Sequence, residues 1–115
     1  MKSRVESSVL TGQDELLETI VVHADSILED IISEYLEERK AEAPIIQGAL
    51  KQNDYPALRE IGHDIEGTGG AFGFEGLAEL GRALRLAAGE EDNKELEKIA
   101  EQIETYLRRV KVAYD

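Results

Sequence analysis

The chain has 115 residues, which suffices for one domain with a modest core and leaves no room for separate nucleotide-binding and substrate domains. Its 13 basic and 25 acidic residues give a formal net charge of −12, which argues against nucleic acid or an anionic membrane as the main partner. Cysteine is absent, which excludes disulfides, thiolate metal sites and cysteine nucleophiles. No apolar run of signal-peptide length follows the N-terminus, and we expect the protein to be cytoplasmic. We also expect it to be a monomer.

The first predicted helical region begins after Asp25 or Ser26, either of which is a suitable N-cap. Pro44 marks either a kink in this region or the first turn of a new helix. Residues 1–19 are polar with scattered leucines, and we expect an irregular arm or a short helix there. The apolar residues of the region recur at helical spacing; they are Leu28, Ile31, Ile32, Tyr35, Leu36, Ile45, Ile46, Ala49 and Leu50.

Three more amphipathic helices follow, and strand patterns are nearly absent. Asn53-Asp54 caps the first of them, a turn at Gly73 precedes the second, and Asp92 or Asn93 caps the last. We therefore predict an all-α fold, an antiparallel up-down four-helix bundle over residues 20–115 with the arm at 1–19. The three apolar faces comprise Leu58, Ile61 and Ile65; Leu77, Leu80, Leu84 and Ala87 or Ala88; and Leu96, Ile99, Ile103, Leu107 and Val110.

Glycine is concentrated in one segment. Four glycines, Gly62, Gly67, Gly69 and Gly70, would together destabilise a helix by roughly 3–4 kcal/mol relative to alanine if all lay within it. A sequence that tolerates this loss needs bare backbone there, for the close approach of another helix or of a partner.

His63 lies in the middle of the glycine segment. On a helical wheel its side chain points roughly 170° away from the apolar face of its own helix. Gly67 and Gly70 lie on the same outer face as His63. An exposed imidazole over a strip without side chains is open to a partner's active site, and neutral imidazole is a competent nucleophile near neutral pH.

Two other chemistries fit the segment poorly. Glu60 and His63 form one Glu-x-x-His unit, whereas a di-iron bundle needs two such units that face inward, so we expect no metal site. Phe72 stands where the dinucleotide fingerprint requires glycine, and no Gly-Lys-Ser/Thr sequence is present. We therefore expect neither a nucleotide site nor a cofactor in this chain.

The segment around His63 resembles the core of the histidine-containing phosphotransfer (Hpt) domains of phosphorelays. The resemblance implies a four-helix bundle whose His63 accepts a phosphoryl group from receiver-domain aspartates and passes it to them. It also implies no autokinase activity, Mg²⁺ held by the partner receiver, and access for that partner over Gly67 and Gly70. The likeness covers roughly residues 20–110 and is carried by Gly62-His63-Asp64-Ile65-Glu66-Gly67-Thr68-Gly69-Gly70-Ala71-Phe72-Gly73, by Tyr35-Leu36, by Asp54-Tyr55 and by Leu77-Ala78-Glu79-Leu80-Gly81.

The chain departs from the family pattern at Glu66, where a lysine is usual. The resemblance implies that this lysine supports the phosphoryl group, so a carboxylate should disfavour the phosphorylated state of His63. Arg59, one turn before His63 on the same face, is a candidate replacement cation. Two interpretations stay open: a phosphorelay intermediate, or a binding-only adaptor that docks a receiver or a kinase without phosphotransfer.

Overall fold

A computed structural model of the chain describes the backbone of residues 6–9 and the whole of residues 19–115. The described part is mostly helical, as predicted. A single 3-10 turn at Ser26–Leu28 precedes the first α-helix. The elements in chain order are β1 (Glu6–Val9), β2 (Thr19–Ala24), α1 (Glu29–Ala41), α2 (Ala43–Lys51), α3 (Tyr55–Phe72), α4 (Glu75–Gly89), α5 (Asn93–Arg109) and β3 (Val110–Tyr114).

Local side-chain chemistry sets the ends of these elements. The carboxylates of Asp25, Asp54 and Asp92 each accept a hydrogen bond from a backbone amide two or three residues later, at 3.0 to 3.2 Å. Pro44 lies in the first turn of α2, so it begins a new helix. Gly73 ends α3 with a φ of 90°, a left-handed conformation that glycine adopts without strain.

Most of the predicted apolar positions face the core. Ile31 and Ile45 are exceptions, with 54% and 60% of their surface exposed. Each precedes an isoleucine that is buried, and neighbouring positions on a helix point about 100° apart, so only one of the two can face inward. The largest fully buried side chains are Phe74, Ile32, Leu58, Ile65, Leu77, Leu84, Leu96, Ile99 and Val22.

The expectation that strands are nearly absent is wrong. β1 pairs antiparallel with β2, and β2 pairs parallel with β3, which gives a sheet in the order β1-β2-β3. Val110, predicted to extend the last helix, begins β3 instead and lies opposite Ile20. β-Branched residues pack well on a pleated surface, and here they pair across two distant segments, which helical periodicity alone does not reveal.

The N-terminal segment differs from the predicted arm or short helix where it is described. Residues Glu6–Val9 form β1, and Thr19 is the first residue of β2. The rest of the predicted arm, residues 1–5 and 10–18, lies outside the described residues. The division of the chain at residue 20 stays a prediction.

Helices α3 and α4 touch backbone to backbone. A Cβ atom added at Gly62 would lie 2.6 Å from the backbone nitrogen of Arg85, and one added at Gly81 would lie 2.6 Å from the backbone nitrogen of Glu66. Higher residue numbers on α3 thus meet lower numbers on α4, so these two helices run antiparallel. No side chain larger than hydrogen fits at either contact.

The glycines of α3 fall into two groups. Gly62 and Gly69 are buried against α4, where a Cβ at Gly69 would lie 3.2 Å from the backbone nitrogen of Ala78. Gly67 and Gly70 are exposed, and a Cβ at Gly67 would lie within 4 Å of no atom that the structure describes beyond the backbone of its own helix. Packing against a neighbouring helix therefore explains the first group and leaves the second without a reason inside the domain.

We predict opposite stability changes for alanine in the two environments. Gly81→Ala should lower the free energy of unfolding by about 1–3 kcal/mol, because its methyl group overlaps the backbone of α3. Gly67→Ala, the matched control on an open face, should raise it by about 0.5–1 kcal/mol through helix propensity. Urea unfolding followed by circular dichroism measures both, and equal stability of the two variants would contradict the packing described.

Candidate functional site

His63 lies near the middle of α3 on its exposed face. Leu58 and Ile65 are fully buried on the opposite side of the helix, and Gly62 is pressed against α4. These contacts fix the rotation of α3 about its axis and turn the imidazole outward, as the helical wheel predicts. Within residues 19–115 no group forms a hydrogen bond with the ring, so the imidazole is accessible as a nucleophile.

An open cavity beside His63 gathers side chains from α3 and α4. Arginines from both helices reach it, one from the turn before the histidine and one from across the helix pair. In the described part of the chain Arg59 forms no ion pair with a carboxylate. The lining residues are Pro56, Arg59, Glu60, His63 and Arg85.

Glu66 is engaged with α4. Its Oε1 accepts a hydrogen bond from Nε of Arg85 at 3.0 Å, and the two side chains are each about one-third exposed, at 32% and 34%. The sequence predicts that this carboxylate, one turn from His63, disfavours the phosphorylated state of the histidine. The structure shows Glu66 in an interhelical ion pair, so its charge is compensated by a residue that the motif does not contain.

The carboxylate of Asp64, next to His63 in sequence, is engaged with α1. Arg39 places Nη2 3.0 Å from an oxygen of Asp64 and 3.0 Å from an oxygen of Glu42. The Arg39 side chain is only 10% exposed. Burial raises the pKa of Glu42, although the positive charge of Arg39 acts in the opposite direction. One buried guanidinium thus holds carboxylates from α3 and from the α1–α2 junction together.

A hydrogen-bond chain ties α1 to the turn of α3 that follows His63. The Thr68 hydroxyl donates to the backbone carbonyl of Asp64 at 2.7 Å, so it accepts from the Tyr35 hydroxyl, also at 2.7 Å. Burial raises the pKa of Tyr35, which keeps the phenol protonated as a donor. Its ring lies 5.0 Å from that of Phe72 and 6.1 Å from that of Phe74. α3 is therefore anchored on both sides of its exposed face.

The structure brings some of the predicted site residues together and separates others. Arg59 and His63 line one cavity. Gly67 and Gly70 are exposed on the same helix, and Glu66 forms an ion pair with Arg85. The parts that these residues play in transfer and docking stay predictions.

Arg85, the residue that α4 contributes to the cavity, was not predicted from the sequence. A signal for it was present in the matched small residues Gly62 and Gly81, because two bare positions on successive helices favour a close contact there. Two antiparallel helices that touch at these glycines bring Arg85, near the end of α4, next to the histidine. Arg39 carried no such signal for its contact with Asp64, because no matched small residues mark where α1 meets α3.

Two kinds of feature, a group of metal ligands and a membrane-spanning helix, are absent from the described ranges, 6–9 and 19–115. No three histidine, aspartate or glutamate side chains there are grouped as metal ligands. Over the same residues, no helix combines the length and the apolar character needed to cross a bilayer.

Comparison with known families gives a match over most of the chain. The family model described as Hpt domain matches residues 15–113, which include all five α-helices and the segment around His63. The comparisons with curated proteins and with solved structures give no match.

Proposed function

Because the chain belongs to the Hpt domain family, we propose that it is a phosphorelay intermediate whose His63 accepts a phosphoryl group from one receiver-domain aspartate and passes it to another. Hpt domains are phosphotransfer modules of two-component signalling and are not autokinases. The observation that carries the assignment to His63 is its exposed imidazole at the position of the family motif, on the open face of α3. We further propose a cytoplasmic monomer.

The architecture proposed with this function is an antiparallel up-down bundle. Its support is the antiparallel contact of α3 with α4 and the short connections between successive helices, at residues 52–54, 73–74 and 90–92. Short connections favour antiparallel neighbours. The three-stranded sheet then joins the two ends of the described chain beside the helices.

In the transfer step, this chain supplies a nucleophile that a partner can reach. An unprotonated ring nitrogen of His63 attacks the phosphorus of an aspartyl phosphate, and the N–P bond forms as the acyl O–P bond breaks. The aspartate carboxylate leaves, and the proton on the other ring nitrogen passes to solvent. The reverse reaction returns the phosphoryl group to a receiver, where a Mg²⁺ ion held by that partner would neutralise charge on the phosphoryl oxygens.

The exposed glycines support the proposal that a partner closes over His63. A glycine inside a helix is about 0.8–1 kcal/mol less favourable than alanine. Among the described residues, Gly67 and Gly70 approach no backbone from another element, since the nearest atom to a Cβ at Gly70 would be the Ala78 Cβ at 4.0 Å. We propose that the receiver surface occupies this space, and that its rim is basic, because this chain carries a formal net charge of −12.

We predict that His63→Gln abolishes labelling by a radiolabelled phospho-receiver. The free energy of unfolding should change by less than about 0.5 kcal/mol, because the imidazole is exposed and unpartnered within the described residues. The chain is incubated briefly with the phospho-receiver, the reaction is stopped at alkaline pH, and the label on the chain is then measured. The control is His23→Gln, which removes the exposed histidine of β2 and should label as wild type does.

The same experiment separates the two interpretations. Label on the wild-type chain supports the phosphorelay intermediate. A wild-type chain that binds the receiver and takes no label is the binding-only adaptor, for which Glu66 in place of lysine is the motivating residue. Label that persists in His63→Gln would refute the assignment of the acceptor.

A second prediction concerns shape. Gly67→Leu should stabilise α3 and yet weaken binding to the receiver at least tenfold, because the side chain stands where the partner must come. The matched control is Gly48→Leu on α2, where a Cβ would also meet nothing within 4 Å. Titration calorimetry measures both variants, and equal receiver affinities would show that Gly67 does not provide access.

A further inference from the structure

The open cavity beside His63 holds a residue that the family motif does not supply. We propose that Arg85 is the cation that binds the phosphoryl group on His63, and that Glu66 is the positioning residue that aims it. This inference rests on the proposed function, since it concerns the phosphorylated state of the same histidine. It reverses the role that the sequence suggests for Glu66, from a repulsive charge to the anchor of an attractive one.

Backbone packing brings Arg85 to the cavity. Its backbone nitrogen lies where a Cβ of Gly62 would be only 2.6 Å away, so the base of the Arg85 side chain stands against the residue that precedes His63. The side chain then lines the same cavity as the imidazole. A larger residue at position 62 would separate the helices and withdraw the guanidinium from the histidine.

The hydrogen bond from Arg85 to Glu66 uses Nε and leaves the two terminal nitrogens of the guanidinium for a ligand. Among the described residues, neither terminal nitrogen of Arg85 has a hydrogen-bond partner. These two nitrogens carry four N–H donors in one plane, a geometry that matches the oxygens of a phosphoryl group. A side chain that is 34% exposed is also close enough to the surface to meet a group added to an exposed ring.

The ion pair orients Arg85 before the phosphoryl group arrives. An arginine held at Nε has fewer rotamers to lose when its terminal nitrogens bind an anion. Arg59 lines the same cavity, but in the described part of the chain no carboxylate restrains it. Arg85 is therefore the better organised of the two cations. Because Glu66 is paired with Arg85, the phosphoryl group meets an ion pair of net charge zero whose terminal N–H donors have no partner among the described residues.

The first test compares the charge-removing variant Arg85→Gln with Arg82→Gln. Arg82 is an exposed arginine on the same helix that does not line the cavity, so both variants lose one positive charge from α4. The readout is the equilibrium division of label between the full chain and one phospho-receiver at low and high salt. Arg85→Gln should lower the share on this chain about fivefold at low salt and less at high salt, and Arg82→Gln should have little effect.

The second test isolates the part played by Glu66. Where Arg85 is absent, Glu66 is only a repulsive charge, so Glu66→Gln in the Arg85→Gln background should raise the labelled share. Where Arg85 is present, the same change also releases the guanidinium, so the rise should be at least twofold smaller or reversed. Arg85→Lys should recover part of the loss, because it keeps the charge and lacks the planar fork. Urea midpoints of all variants identify any that are unfolded.

Phosphoramidate, a small-molecule phosphoryl donor, separates failure of this inference from failure of the proposed function. Wild-type chain that takes label from neither phosphoramidate nor the phospho-receiver refutes the proposed function. Wild-type chain that takes label, with Arg85→Gln and Arg82→Gln indistinguishable in labelled share, refutes the role of Arg85 alone. An equal effect of Glu66→Gln in both backgrounds refutes the positioning role of Glu66.

Discussion

The contact between α3 and α4 through Gly62 and Gly81 is the constraint on which the candidate site depends. At this contact each glycine lies against the backbone of the other helix, so the distance and the rotation of α3 are fixed within narrow limits. That rotation buries Leu58 and exposes His63. The same contact carries Arg85 to the cavity, so one packing feature places both His63 and the cation from α4 that lines the same cavity.

Charge compensation around the histidine is the second consequence of the packing. The chain has a formal net charge of −12, and a phosphoryl group would add further negative charge to it. Asp64 and Glu66 follow His63 in sequence, and each pairs with an arginine from another helix, Arg39 and Arg85. The two arginines offset the charge of these carboxylates at a place where the sequence shows mainly acidic residues.

Local features were predictable from the sequence, and contacts between distant segments were not. The caps at Asp54 and Asp92, the new helix at Pro44 and the outward direction of His63 follow from chemistry within one or two turns. The strand at Val110 depends on pairing with β2 at the other end of the described chain. The ion pair of Glu66 depends on a register between helices that no single periodic pattern contains. Both were missed for the same physical reason.

Localisation of the phosphoryl group on the wild-type chain is the most direct test of whether His63 accepts it. The full chain is incubated with a phospho-receiver, digested and analysed by mass spectrometry at alkaline pH, where phosphohistidine survives. We predict one added phosphoryl group, on the peptide that contains His63, and its loss after brief acid treatment. A phosphoryl group on His23, or a chain that binds the phospho-receiver and stays unmodified, would contradict it.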